Sequence, residues 1–147
     1  ERIALEEFSS FSQCIQEEKL IGFTILCIHH QIVSILYLAV KEEYRNLGYG
    51  SMILEDLSKE YVSNRIMLDI EQIKECKNKE QRIKRKQFYL RNGFQEMGFK
   101  YVEKDVKYEM LYVGEKLSSK VYDELMVAYA GPVYHKFRDY KADELID

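Results

Sequence analysis

Ile32-Val33-Ser34-Ile35-Leu36-Tyr37-Leu38-Ala39-Val40 runs through the polar stretch Lys41-Glu42-Glu43-Tyr44 into Arg45-Asn46-Leu47-Gly48-Tyr49-Gly50-Ser51. The first nine residues are almost continuously apolar, the pattern of a strand covered on both faces. From Gly48 to about Tyr61 the apolar residues Met52, Ile53, Leu57 and Tyr61 recur at helical spacing. A buried strand therefore leads through a glycine turn into a helix. The free N–H groups of a helix start make that turn an anion site, and a phosphate suits it. Gly48 and Gly50 carry no Cβ, so the backbone can curl and approach a pyrophosphate closely. From these residues alone a purely structural turn is an equal reading. Two other glycine signatures fail on inspection. A dinucleotide fingerprint needs glycine where Ile53 stands, and a P-loop needs Lys and then Ser or Thr where Ser51 and Met52 stand.

Upstream, Leu5 and Phe8 with charges between them suit a short amphipathic helix over residues 1–10. Residues 11–16 and 20–28 read as strands joined by the polar turn Glu17-Glu18-Lys19, and His29-His30-Gln31 makes the next turn. On a strand, adjacent histidines point to opposite faces and do not share a metal, so turn residues is the reading taken. Downstream, residues 66–70 form another short apolar strand. A charged segment and a helix follow, stopped by Asn92-Gly93. Residues 94–102 and 106–113 flank Glu103-Lys104-Asp105 as a hairpin. Ser118 or Ser119 caps a last helix with Val121, Leu125, Met126 and Tyr129 on one side, and Gly131-Pro132 ends it. This order describes a mixed sheet with helices packed on it, an α/β (mixed α+β) class without repeats or low-complexity linkers.

With 147 residues, 46% of them hydrophobic and 13% aromatic, the chain has the size and apolar content of one core. Its formal charge of -3 draws it to no polyanion, which argues against nucleic acid as a partner. Cys14, Cys27 and Cys76 are scattered and odd in number, which fits neither a disulfide framework nor zinc-ligand spacing. No apolar run reaches the roughly 18 residues that span a bilayer, and residues 1–10 do not show a basic stretch followed by an apolar segment. A reduced, cytoplasmic, soluble protein with no membrane partner is the expectation.

Leu38-Ala39-Val40, four residues, then Arg45-x-x-Gly48-x-Gly50 resembles the Gln/Arg-x-x-Gly-x-Gly/Ala motif of GNAT superfamily N-acetyltransferases. Phe88-Tyr89-Leu90-Arg91-Asn92-Gly93-Phe94 is similar to that family's Phe/Leu-Tyr-x-x-x-Gly-Phe segment, with one strand and one charged helix between the two motifs as in the family. The resemblance covers about residues 11 to 113. It implies a centrally splayed sheet flanked by helices, with acetyl-CoA as co-substrate and no metal. It further implies that the loop Arg45, Asn46, Leu47, Gly48, Tyr49, Gly50 and Ser51 cradles the pyrophosphate, while Leu38, Ala39 and Val40 line the pantetheine arm. The family's fold starts with a strand and a helix ahead of the segment matching residues 1–10, so an N-terminal strand and helix are expected to be missing. Residues 1–114 are then the acetyltransferase domain. Residues 115–147 are an added helical tail, packed on the same domain or on a second copy as a homodimer.

Acetyl transfer to an amine needs a neutral nitrogen, a polarised thioester carbonyl and a proton for the departing thiolate. By resemblance Tyr89 supplies that proton; a buried aromatic at a helix end is the alternative. The backbone N–H near Val40 polarises the carbonyl. Glu71, which follows the strand over residues 66–70, is the best available base, and Asp69 shares its face by strand alternation. Together they can raise one pKa or hold a cationic amine; solvated strand-end acids is an equal reading. The basic run Lys74, Lys77, Lys79, Arg82, Lys84, Arg85 and Lys86 reads as a solvated face, with Arg82 or Arg85 reserved for the phosphates. The expected activity is acetyl transfer from acetyl-CoA to a primary amine, on a small molecule or a peptide. The rivals are a non-catalytic acyl-CoA-binding regulatory module and an interaction domain working through the tail.

Overall fold

The computed structural model describes residues 9–62, 64–74, 76–103 and 105–130. The helix expected over residues 1–10 lies outside them for residues 1–8, and Ser9 and Ser10 already belong to a strand. Six strands form one sheet in the order β1-β2-β3-β4-β6-β5, and the chain divides into two compact units at Ile66 and Met67.

The first unit holds β1 (Ser9–Gln16), β2 (Lys19–His29), β3 (Ile32–Val40), a 3-10 turn over Glu42–Tyr44 and α1 (Tyr49–Glu60). The three strands are an antiparallel meander. Glu17 and Glu18, at φ 49 and 62, turn the chain between Gln16 and Lys19, a two-residue hairpin loop whose positive φ values match the strand twist. His30, at φ 52, does the same between His29 and Ile32. The turn expected at the histidine pair is thus present, with His29 closing β2 and His30 inside the turn, and their rings meet edge-on with centroids 4.2 Å apart. Burial and then the charge of His30 lower the pKa of His29. Among the described residues no group of three or more His, Cys, Asp or Glu side chains is placed to hold a metal ion.

β3 has the predicted bounds, but its covering differs. Ile32, Val33, Ser34 and Ile35 are buried, whereas Leu36 and Tyr37 are 39% and 53% exposed. The cause is a bulge: Ile25 pairs with Tyr37 and Leu26 with Ile35, so Leu36 is an extra residue facing no partner on β2. A bulge breaks the alternation of faces and bends the strand. α1 buries Ile53, Leu54 and Leu57, while Met52, expected on that stripe, is 45% exposed.

The second unit contains α2 (Lys79–Arg91), β5 (Gln95–Glu103), β6 (Val106–Val113) and α3 (Ser119–Ala130), with most of β4 (Arg65–Glu71). β5 and β6 form the predicted hairpin, with an irregularity between Glu96 and Lys100 around Gly98 at φ 91. Of the two candidate caps for α3, Ser118 is used, its Oγ accepting from the Val121 N–H at 3.3 Å. Leu117, Tyr122 and Leu125 are buried, and Tyr122 lies 5.5 Å from Phe99 of β5. Residues 131–132 and the side chains of Met126 and Tyr129 lie outside the described residues. No helix among the described residues is long and apolar enough to cross a membrane.

Lys86 of α2 pairs with Glu96 and, at 3.0 Å, with the buried Glu109, tying helix to hairpin. Burial opposes the charge of Lys86, but its two carboxylate bonds outweigh it and raise the lysine pKa. The bond from Lys86 lowers the pKa of Glu96. Lys86→Met leaves Glu109 without its cation and destabilises the protein by about 2 kcal/mol in urea titration at neutral pH. A raised lysine pKa stabilises below the unfolded value and is lost as pH rises through the folded one. A lowered glutamate pKa stabilises above the unfolded value and is lost as pH falls through the folded one. The difference between wild type and variant is therefore largest between those two limits and shrinks beyond either.

Candidate active site

In the first unit, β3 ends at Val40 and the chain folds back on itself before α1. Arg45 Nε donates to the Val40 carbonyl at 3.1 Å, which pins the loop to the strand end. Asn46 and Gly48 adopt left-handed conformations at φ 61 and 86. Gly48 is the N-cap of α1. It has no side-chain capping bond, and the first turn holds no acidic residue. A helix start left without acid or cap keeps its partial positive charge and its N–H groups for an external anion. Arg45, Asn46, Leu47 and Gly48 are exposed, Tyr49, Gly50 and Ser51 are half-buried, and a Cβ at Gly48 meets nothing within 4 Å. The turn is thus open, as a phosphate cradle requires.

Leu38, Ala39 and Val40, predicted to line the coenzyme arm, are half-buried beyond the Leu36 bulge. Opposite Val40 stands Gly22, which sequence reading missed. A Cβ there would lie 2.1 Å from the Ala39 carbonyl oxygen and 3.1 Å from Val40 Cα. The available signal was a glycine inside a strand pattern, which marks a bulge or a close backbone approach.

Gly48→Ala separates conformation from contact. With open space around the new methyl, the substitution costs about 1 kcal/mol from the left-handed backbone alone, seen as a small drop in the urea midpoint.

In the second unit the aromatic motif has a local explanation. Gly93, at φ 89, donates its N–H to the Leu90 carbonyl, and the Phe94 N–H reaches the Tyr89 carbonyl at 3.1 Å. These are the two bonds of a Schellman motif, and the apolar contact that accompanies it is Tyr89 on Phe94, with ring centroids 5.6 Å apart. Asn92 Nδ2 adds a bond to the Phe88 carbonyl at 2.8 Å. The spacing Tyr-x-x-x-Gly-Phe is thus what a helix stop needs to hold a tyrosine still.

Tyr89 is 3% exposed. Burial raises its pKa, the hydrogen-bonded Arg85 works against the rise, and the Asp69 carboxylate adds to it. The phenol therefore stays protonated through neutral and mildly alkaline pH. Asp69 and Glu71 are both half-buried and share a face of β4, as alternation predicts. Glu71, however, is ion-paired to Arg82, whose Nη1 also donates to the Gln72 carbonyl at 3.0 Å. Arg82 is thereby committed to β4 and not offered to a phosphate, which reduces that earlier choice to Arg85. Lys86 likewise leaves the solvated face for the hairpin. Cys27 is buried with its thiol pushed up to about 11, so it is no nucleophile at neutral pH.

Residues 9–96 match the family model described as an acetyltransferase (GNAT) domain. Among solved structures, an acetyltransferase from Bacillus subtilis in complex with CoA is 17% identical, with 74% of this chain and 78% of that one covered and a TM-score of 0.57. The ribosomal-protein-S18-alanine N-acetyltransferase from Escherichia coli is 19% identical over 80% and 79%, also at 0.57. A GNAT family acetyltransferase from Elizabethkingia anophelis with acetyl-CoA bound is 14% identical over 78% and 81%, at 0.58. No curated protein matches the chain. These structures share its fold, and because the family model spans more than half of its length, the chain belongs to the GNAT acetyltransferases.

Proposed function

We propose that this protein is an N-acetyltransferase that moves the acetyl group of acetyl-CoA directly to a primary amine. The observation that carries the reading is Tyr89, a buried phenol held by a Schellman stop, with its proton retained by burial. The N–H groups at the start of α1 take the pyrophosphate, and Leu38, Ala39 and Val40 receive the pantetheine arm. The amine nitrogen attacks the thioester carbon, the C–N bond forms and the C–S bond breaks. Tyr89 gives its proton to the leaving thiolate and is reprotonated from solvent, while the amine loses a proton to water or to Glu71.

Thiol release from acetyl-CoA against a panel of primary amines tests the activity, and release with none of them removes it. The Arg82–Glu71 pair favours a second reading, a coenzyme-binding module without turnover. Calorimetry then records acetyl-CoA binding with no amine consumed.

The tyrosine proton sets a pH dependence. Because the pKa of Tyr89 is raised, the alkaline limb of kcat/KM falls above the ordinary tyrosine value of about 10. The profile is measured with a weakly basic amine already neutral at pH 7, after subtraction of uncatalysed thioester hydrolysis. A limb centred well below that value would place the essential proton on another group.

A further inference from the structure

A cavity of about 400 Å³ opens between the β1–β2 hairpin and α1, wholly inside the first unit. Its walls include Ile15, Ile21 and Met52, and Asp56 and Glu60 line it from successive turns of α1. Among the described residues no Lys, Arg or His lines it. Glu55 on the same helix is paired with Lys59 at 2.9 Å, whereas neither Asp56 nor Glu60 is in an ion pair among the described residues. Cys14, also in the lining, has its thiol pKa raised by burial and then by the Asp56 carboxylate, which sets that negative charge across the cavity from β1.

The second observation is independent of the acids. Thr24 is 1% exposed and lines the cavity, and its Oγ1 has no hydrogen-bond partner among the described residues. A buried hydroxyl without a partner is destabilising unless something satisfies it. The cavity volume lies in the range of small-molecule sites, with apolar walls and a few placed polar groups.

The geometry points to a binding site for a short aliphatic ammonium that carries a second hydrogen-bonding group at its other end. The cation is held by Asp56 and Glu60, the carbon chain lies against Ile15, Ile21 and Met52, and the far hydroxyl or amine satisfies Thr24. The groups that would hold the ligand include none of Leu38, Ala39 and Val40, although Tyr49 of the loop before α1 also lines the cavity; the site lies beyond the transfer reaction. Its occupation does not depend on that reaction taking place.

Aminobutanol is the probe, titrated calorimetrically into the full chain without acetyl-CoA, with butylamine and butanediol as controls. Aminobutanol binds, butylamine binds about tenfold more weakly for want of the hydroxyl, and butanediol gives no heat. The double substitution Asp56→Asn with Glu60→Gln, on exposed positions, weakens aminobutanol at least tenfold. Thr24→Val brings aminobutanol down to the level of butylamine and raises the Tm of the unliganded protein, because the orphan hydroxyl is gone. No heat from aminobutanol, equal binding of butanediol, or unchanged affinity in the double variant overturns the site. None of these outcomes bears on acetyl transfer, which is read separately by thiol release.

Discussion

Tyr89→Phe lowers kcat for amine acetylation by about 100-fold or more, the range for loss of a positioned general acid. The substitution removes one oxygen and keeps the ring. The contacts with Phe94 at 5.6 Å and Phe88 at 5.1 Å survive, and so does the helix stop they accompany. Arg85 loses a hydrogen-bond partner, but it is exposed and finds water instead. KM for acetyl-CoA and the circular dichroism spectrum therefore stay near wild type, which separates a lost proton from a lost fold. An interaction made in the transition state alone lowers kcat and kcat/KM together. Thiol release at saturating acetyl-CoA is the measurement. A variant turning over within twofold of wild type takes the acid role away from Tyr89 while leaving family membership untouched.

Gly22→Ala is the most damaging single methyl expected in the first unit. The new Cβ would stand 2.1 Å from the Ala39 carbonyl oxygen, with the Ala39 carbonyl carbon and Val40 Cα each at 3.1 Å. All three are backbone atoms of the paired strand, so no side chain can swing aside. Nearby bonds hold the strands: the Lys41 N–H donates to the Ile21 carbonyl at 2.8 Å, and Arg45 Nε holds the Val40 carbonyl. Relief requires β2 and β3 to part at their ends, and overpacking of this kind destabilises by about 3 kcal/mol or more. The shift carries Ala39 and Val40 with it, so acetyl-CoA affinity falls along with stability. Urea denaturation and calorimetry read the two effects. A loss of stability no greater than that of Gly48→Ala would mean that the strands do not approach as closely as described. The contrast is informative because Gly48 has a strained backbone in open space, whereas Gly22 meets a wall.

Local signals carried much of the architecture. Ile32–Val40 was readable because an almost continuous apolar run bounded by polar turns has few other interpretations. The end of α2 was readable because Asn92-Gly93 is itself the chemical device that stops a helix, and the same residues fix Tyr89. The open turn at Arg45–Ser51 follows from two glycines and from a first helical turn without acids, both visible in the string of letters. Hence the element order, the open turn before α1 and the tyrosine at the end of α2 could be named from sequence by itself.

Tertiary structure alone decided what depends on register. Whether Leu36 faces a partner, and hence whether β3 stays covered on both faces, turns on a one-residue slip against β2 that no composition records. The same pairing makes Gly22 indispensable opposite Val40 and leaves Thr24 facing a cavity. Lys86 looked like a member of a solvated basic face, and Arg82 like a candidate for the phosphates, until folding brought Glu109 and Glu71 against them. The division has one physical cause. Turns, caps and periodic faces are set by interactions among neighbours in sequence, whereas strand register and charge pairing arise between distant segments, whose meeting is governed by the whole packed chain.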